Sequence, residues 1–413
     1  MTEGRLSMSD GSRARYDLRG DAWRGSARGH PEVKWEQGYW YRPGQILVED
    51  DQEFTAGVMH HLRAVGATPH EEFGAHFSQA GLPIRAFQVP GSEHIPTLVE
   101  RLRAHEHGKP TPNVGPNHVF TGEYEYSGGP EEGPEPVRAG GESDVPGPVA
   151  GPPRIAVLDT GFDHAVKHLH PGLFERLEYD GDEDPVMSDG VLAYEAGHGT
   201  FIAGIIMKHS PELHIRQVRV LDPAGVGDDV TVALGLSRER GAAVINLSLG
   251  GYTHGGRPPV ALAAALAQLD DSIAVVAAAG NNNSDEPFWP AAFKGVVAVG
   301  ALDTTVGKLE RAKFSNYGHW VDVYAPGVHV HSTYLDGMYQ EPGKHLAHLT
   351  GWARWSGTSF AAPQVAAEIA KRVRDGVKAR QAAHQVLGET TWLPEVGAIM
   401  IPKTDETWGV LVA

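Results

Sequence analysis

From residue 154 onward, uninterrupted apolar runs alternate with stretches of helical periodicity, and this alternation constrains the fold more than any other feature of the chain. Residues 155–158, 273–277 and 296–299 read as strands that are apolar on both faces, 244–247 as one interrupted only by Asn246, and 215–220 as a further strand that carries Arg216, Gln217 and Arg219. Helical spacing falls between them, near 199–207, 230–240 and 260–269, and again after Ser359. A strand without a polar face must be covered on both sides. The expected architecture is therefore α/β, a mostly parallel sheet with helices on both faces.

A chain of 413 residues has room for more than this one layer structure. Residues 39–122 predict a small α+β domain, with strands at 45–48, 84–89 and 117–120 and helices at 54–65 and 95–103. Periodicity is then lost across 123–152, where Gly, Pro, Glu and Ser dominate; this stretch is expected to be a linker between that domain and one covering 153–388. Residues 1–38 are expected to be a disordered arm, and 389–413 a C-terminal extension.

Charge and composition remove several function classes. With 35 basic against 52 acidic side chains the formal charge is −17, which argues against a general binder of nucleic acid or of anionic membranes. There is no cysteine, so any nucleophile is an oxygen or an amine. The longest apolar stretches, 272–279 and 295–302, fall well short of the roughly 20 residues that span a bilayer. The first thirty residues have no apolar core of a secretory leader, so a cytoplasmic protein is expected.

Four strand-to-helix junctions carry polar residues, where open α/β sheets place their sites. Asp159-Thr160-Gly161 ends a strand in a carboxylate. Gly197-His198-Gly199-Thr200 sets an imidazole at a helix start, where the helix dipole disfavours a positive charge and so suits a base that begins neutral. Ala278-Ala279-Gly280-Asn281 delivers an amide into a turn, and Gly357-Thr358-Ser359 opens a helix with a hydroxyl. Singly these are explained as a cap, a core histidine, a turn former and another cap. Together they are a carboxylate, a base, an amide donor and a hydroxyl, the parts needed for acyl transfer through a tetrahedral oxyanion.

In that order and with those motifs the chain resembles the subtilisin-like serine peptidases, the subtilases. The segments 244–251, Phe314-Ser315-Asn316-Tyr317-Gly318 and Tyr324-Ala325-Pro326-Gly327 add to the resemblance, which covers roughly 153–388. The resemblance implies a serine endopeptidase with Ser359 as nucleophile, His198 as base, Asp159 as its partner and Asn281 in the oxyanion hole. It implies that Ser248, Leu249 and Gly250 pair with an extended peptide or unfolded protein substrate, with Ala278, Ala279, Gly280 and Phe288 near the main specificity pocket. Phe288 either narrows that pocket or packs in the core. Asp229 falls where the family builds a more distant subsite, although two capping acids at a helix start, Asp228 and Asp229, explain it first.

The resemblance also marks departures. The family's calcium loop is missing, because little chain separates the helix after His198 from the strand at 215, and Gly172 stands where a carboxylate is drawn to that ion; no cofactor or metal is assigned. The acidic run at 180–184 and the pairs His168/His170 and His329/His331 are read as solvated or structural. Phe201 replaces the family's usual histidine after Gly199-Thr200. The 39–122 domain resembles a subtilase prodomain, a ferredoxin-like α+β unit, which implies an intramolecular inhibitor or folding chaperone; its eight histidines suggest release in acid. A catalytically silent binding protein with the same scaffold is the alternative.

Overall fold

The computed structural model describes residues 33–51, 55–104, 112–122, 133–137, 154–164, 166–179, 191–193, 195–222, 224–305, 307–340 and 346–402. They form two units. One contains the described residues up to Phe120 together with Gly227–Arg238 and Gly251–Leu269; the other contains Thr121–Val226, Glu239–Gly250 and the chain from Asp270 onward.

In the first unit the strand Tyr39–Glu49 is flanked by Val114–Thr121 on one side and Ile84–Gln88 on the other, with Thr68–Pro69 beyond Ile84–Gln88. The described registers of these four strands are all antiparallel. Helix Ile95–Ala104 turns Ile95, Leu98, Val99 and Leu102 inward, three to four residues apart as one apolar face requires. They pack with Ile46, Val48, Phe87 and Val114 from the sheet.

Two features of this unit depart from expectation. Residues 34–36, assigned to a disordered arm, form a strand paired with Tyr39–Tyr41. The turn between them places Gln37 and Gly38 at φ 53° and 90°, the left-handed pair that closes a two-residue hairpin. The helix Glu71–Ala80 was not expected either. It buries only Phe77 deeply, so it has little periodicity to read; its stop signal is Gly81 at φ 71°.

The second unit is built on a sheet whose central strands run Val323–Pro326, Val296–Asp303, Ala274–Ala278, Val244–Leu247, Arg154–Asp159 and His214–Arg219, all parallel. The α/β expectation holds for this unit. Strand order reverses at Arg154–Asp159: the next paired strands lie on one side of it and the later ones on the other. Such a switch point leaves a crevice at the carboxyl ends of the strands. Helices His198–His209 and Thr358–Arg374 bury 10 of 12 and 12 of 17 residues, and their apolar side chains join the same core as these strands.

Part of the predicted linker is ordered. Glu135–Pro136 pairs with Ala353 and Arg354 on the hairpin Val330–Tyr339/Ala347–Trp355, and the Arg354 guanidinium holds the Glu135 carboxylate. A two-residue strand leaves no periodicity in a sequence. The rest of 123–152 and the acidic run at 180–184 lie outside the described residues. The C-terminal extension contributes a hairpin, Thr391–Leu393 with Gly397–Ile399, that continues the sheet beside Tyr324. Among the described residues no helix is long and apolar enough to cross a membrane.

Candidate active site

Asp159 is the last residue of the strand at the switch point and is fully buried. One of its oxygens, Oδ1, accepts from His198 Nδ1 at 2.8 Å and from the Thr160 amide at 2.8 Å. His198 is the first residue of its helix, and the chain reaches it through Gly197 at φ 82°, a backbone position that favours glycine. Gly199 is required for space: a Cβ there would lie 2.3 Å from Gln217 Nε2 and 2.6 Å from the Gly161 carbonyl.

Behind the imidazole lies an aromatic wall. Trp355 meets it edge-on and Phe360 at a tilt, each with centroids 5.4 Å away. Phe201 packs against Phe360 at a tilt, centroids 4.6 Å apart, so the residue that departs from the family pattern serves as packing for the wall.

Ser359 is the second residue of the helix Thr358–Arg374. Four residues on stands Pro363, which has no N–H to give, so the Ser359 carbonyl lacks its helical donor. Ser248 Oγ supplies one at 2.8 Å and is itself held by Asn246 Nδ2 at 2.9 Å. In return Ser359 Oγ donates to the Ser248 carbonyl at 3.3 Å.

Asn281 is oriented by the same helix start. Its Oδ1 accepts from the Thr358 amide and hydroxyl, both at 3.0 Å, and the Thr358 hydroxyl accepts from the Gly280 amide at 3.1 Å. With the oxygen so engaged, the amide nitrogen is the donor end. Asn316, in a segment singled out in the sequence without a role, ties down the loop that carries Asn281. Its Nδ2 donates to the Ala279 carbonyl at 2.9 Å, and its Oδ1 accepts the amides of Asn282 and Ser284 at 3.0 Å each.

Of the expected substrate-binding residues, Ser248 is bonded to Ser359, the Ala279 carbonyl accepts from Asn316, Gly250 and Gly280 stand against the Phe288 ring, and Leu249 and Ala278 are buried. Gly250 exchanges two backbone hydrogen bonds with Thr121, at 2.9 and 3.0 Å, and the Gly122 amide donates to the Gly225 carbonyl at 2.9 Å. An extended stretch of the chain itself thus lies between two glycines. Phe288 is 4% exposed, and its ring stands against both Gly250 and Gly280: a Cβ on Gly250 would come within 2.1 Å of it and one on Gly280 within 3.1 Å.

Asp229 corrects the expectation of a subsite. Its carboxylate is fully buried and accepts the amides of Ala261 and Leu262 at 3.0 and 2.7 Å, capping the helix Val260–Ala267 rather than facing a substrate. Burial raises its pKa to about 7 despite those bonds. Asp228 does cap its own helix, through the Thr231 amide at 3.0 Å, while its other oxygen accepts from Arg42 Nε at 2.9 Å.

Among the described residues no group of three or more His, Asp or Glu side chains is arranged to hold a metal ion. At Gly172, the position where the resemblance implies a carboxylate, the carbonyl accepts from the buried Arg176 guanidinium at 2.7 Å, and the same guanidinium holds the Pro211 carbonyl. His170, also buried, is bonded to the Gly351 carbonyl at 2.5 Å.

Residues 152–387 match the family model described as the subtilase family, Peptidase S8. The thermophilic serine proteinase of Bacillus sp. (strain AK1) is 36% identical over 288 residues, covering 66% of this chain and 66% of that protein. Thermitase of Thermoactinomyces vulgaris is 36% identical over 225 residues, 52% of this chain and 72% of thermitase. Fervidolysin from Fervidobacterium pennivorans, a keratinolytic enzyme related to subtilisin, superposes with a TM-score of 0.53 at 20% identity over 90% of this chain and 63% of its own, which shows a shared fold. The chain belongs to the subtilase family, and by class it is a serine endopeptidase.

Proposed function

We propose that the chain hydrolyses peptide bonds by nucleophilic attack of Ser359, with His198 as general base and acid, Asp159 as its electrostatic partner and Asn281 as oxyanion donor. What carries this reading is the buried His198–Asp159 bond at the switch point of the sheet, in one unit with Ser359 and Asn281. In the reaction Ser359 Oγ exchanges its bond to the Ser248 carbonyl for one to His198 Nε2, gives up its proton and attacks the substrate carbonyl carbon. The oxyanion takes hydrogen bonds from Asn281 Nδ2 and the Ser359 amide. The imidazolium, balanced by Asp159, passes its proton to the leaving amine, and water then releases the acyl group by the same steps.

The register of Thr121 on Gly250 supports a specificity. Continued by two residues, an antiparallel strand brings the acyl residue opposite Ser248, on the same face as a side chain directly opposite Gly250. That face meets the Phe288 ring. Substrates are therefore extended peptides with a small side chain before the cut. Mass spectrometry of an unfolded protein digested by the wild type should find cuts after Gly, Ala and Ser, absent with Ser359→Ala, and Phe288→Gly should admit Leu and Phe. Equal cutting after large and small residues by the wild type would remove the specificity, and no cutting would remove the reading itself.

The 39–122 domain is proposed to act as an intramolecular inhibitor, because Thr121 and Gly122 occupy the track a peptide needs. A pH dependence follows from the first unit. His118 is buried and its Nε2 accepts the His254 amide at 3.0 Å, which requires that nitrogen to be unprotonated. Burial, with Arg103 and His254 nearby, pushes its pKa down to about 3. The His254 ring bonds Tyr39 at 2.8 Å and Glu100 at 2.7 Å. Glu36 and Tyr41 also face this cluster, and Arg257 faces Arg103.

A histidine whose folded pKa is depressed contributes full stability above the unfolded value near 6.5 and loses it as pH falls from there toward 3. At pH 5.5 the packing of Val114–Thr121 on residues 251–269 should be about tenfold weaker, roughly 1.4 kcal/mol. Amide exchange in that strand, corrected for intrinsic rates, should rise between pH 7.5 and 5.5 in the wild type and much less in His118→Gln. No rise in the wild type would contradict the argument.

A further inference from the structure

Glu195 lies three residues before His198 and is fully buried. Its stem crosses Gly225, where a Cβ would come within 2.3 Å of Glu195 Cγ. Its carboxylate reaches Gly122: a Cβ on Gly122 would lie 3.2 Å from Oε2, 3.6 Å from Cδ and 3.5 Å from Leu221 Cδ1. The carboxylate thus faces the side-chain position of whichever residue donates its amide to the Gly225 carbonyl. The other acid of this turn, Asp222, directs Oδ1 to the amides of Ala224 and Val226 at 2.9 and 3.0 Å.

We infer that Glu195 reads the charge of the residue at the Gly122 position in any strand occupying this groove, accepting a basic or hydrogen-bond-donating side chain and rejecting an acidic one. Burial penalises a carboxylate's charge, so an ammonium beside Glu195 gains a charge-assisted bond, while a carboxylate placed there adds a second buried acid that Glu195 cannot balance. The same discrimination carries to peptide substrates at the residue before the acyl residue. That extension rests on the peptidase reading above; the effect on the chain's own strand does not.

The test needs no turnover. Four full-length chains are compared, Gly122→Lys and Gly122→Glu, each with Glu195 and with Glu195→Gln, by amide exchange at Thr121 and residue 122, whose N–H groups donate to Gly250 and Gly225. With Glu195 present, the lysine chain should keep its protection and the glutamate chain should lose about tenfold or more. With Glu195→Gln the two should agree within about threefold. Equal protection of the lysine and glutamate chains with Glu195 present would overturn the inference, and that comparison stands even if Glu195→Gln does not fold. A difference that persists unchanged in a folded Glu195→Gln would overturn the assignment to Glu195. Peptides carrying Lys or Glu at this place, offered to the wild type, should follow the same order; failure of catalysis alone would appear as no cleavage of either, with the exchange result intact.

Discussion

Replacing Ser359 with alanine should lower turnover by about 10⁶, the order measured when the nucleophile is removed from subtilisin itself. The hydroxyl makes one weak bond, to the Ser248 carbonyl at 3.3 Å, so little stability is lost with it. The bond that anchors the helix start runs from Ser248 Oγ to the Ser359 backbone carbonyl and is untouched. A folded but inactive protein is therefore expected, with thermal unfolding altered by about 1 kcal/mol or less. Turnover of a peptide substrate and a melting curve check both halves; a chain retaining a tenth of its activity would show that another group attacks.

Asp159→Ala should cost about 10⁴. Without the carboxylate, His198 Nδ1 loses its acceptor inside a fully buried site and the imidazolium loses its counter-charge. Because the two residues act on one transition state, the losses should not add: Ser359→Ala with Asp159→Ala should be no slower than Ser359→Ala alone. A double variant a further 10³-fold or more slower would mean that Asp159 acts independently of the serine.

The parts of this molecule that sequence makes legible are those where burial or backbone geometry leaves a pattern. All-apolar strands such as Ala274–Ala278 announce a sheet covered on both faces, and they are covered. The glycines at 197, 199 and 280 punctuate turns that need left-handed backbone or close approach, and they bracket His198 and Asn281. What escapes is contact between distant segments. Nothing local distinguishes Asp229, a helix-start acid, as the cap of a different helix thirty-odd residues on. Asn316 stands in a readable motif, but its work of fixing the Asn281 loop appears only when the two are brought together. Glu195 is a lone acid whose meaning depends on Gly122 and Gly225 lying over it. Short or lightly buried elements, Lys34–Glu36, Glu71–Ala80 and Glu135–Pro136, fail for a different reason, since they bury too few side chains to leave a period.

The central claim is that Ser359 is an activated nucleophile. Incubation of the full-length chain with a fluorophosphonate, followed by digestion and mass spectrometry, tests it directly. The account predicts a single adduct, on Ser359, that forms far more slowly in Asp159→Ala and is absent in Ser359→Ala. An adduct on another residue, or equal labelling of wild type and Ser359→Ala, would contradict it.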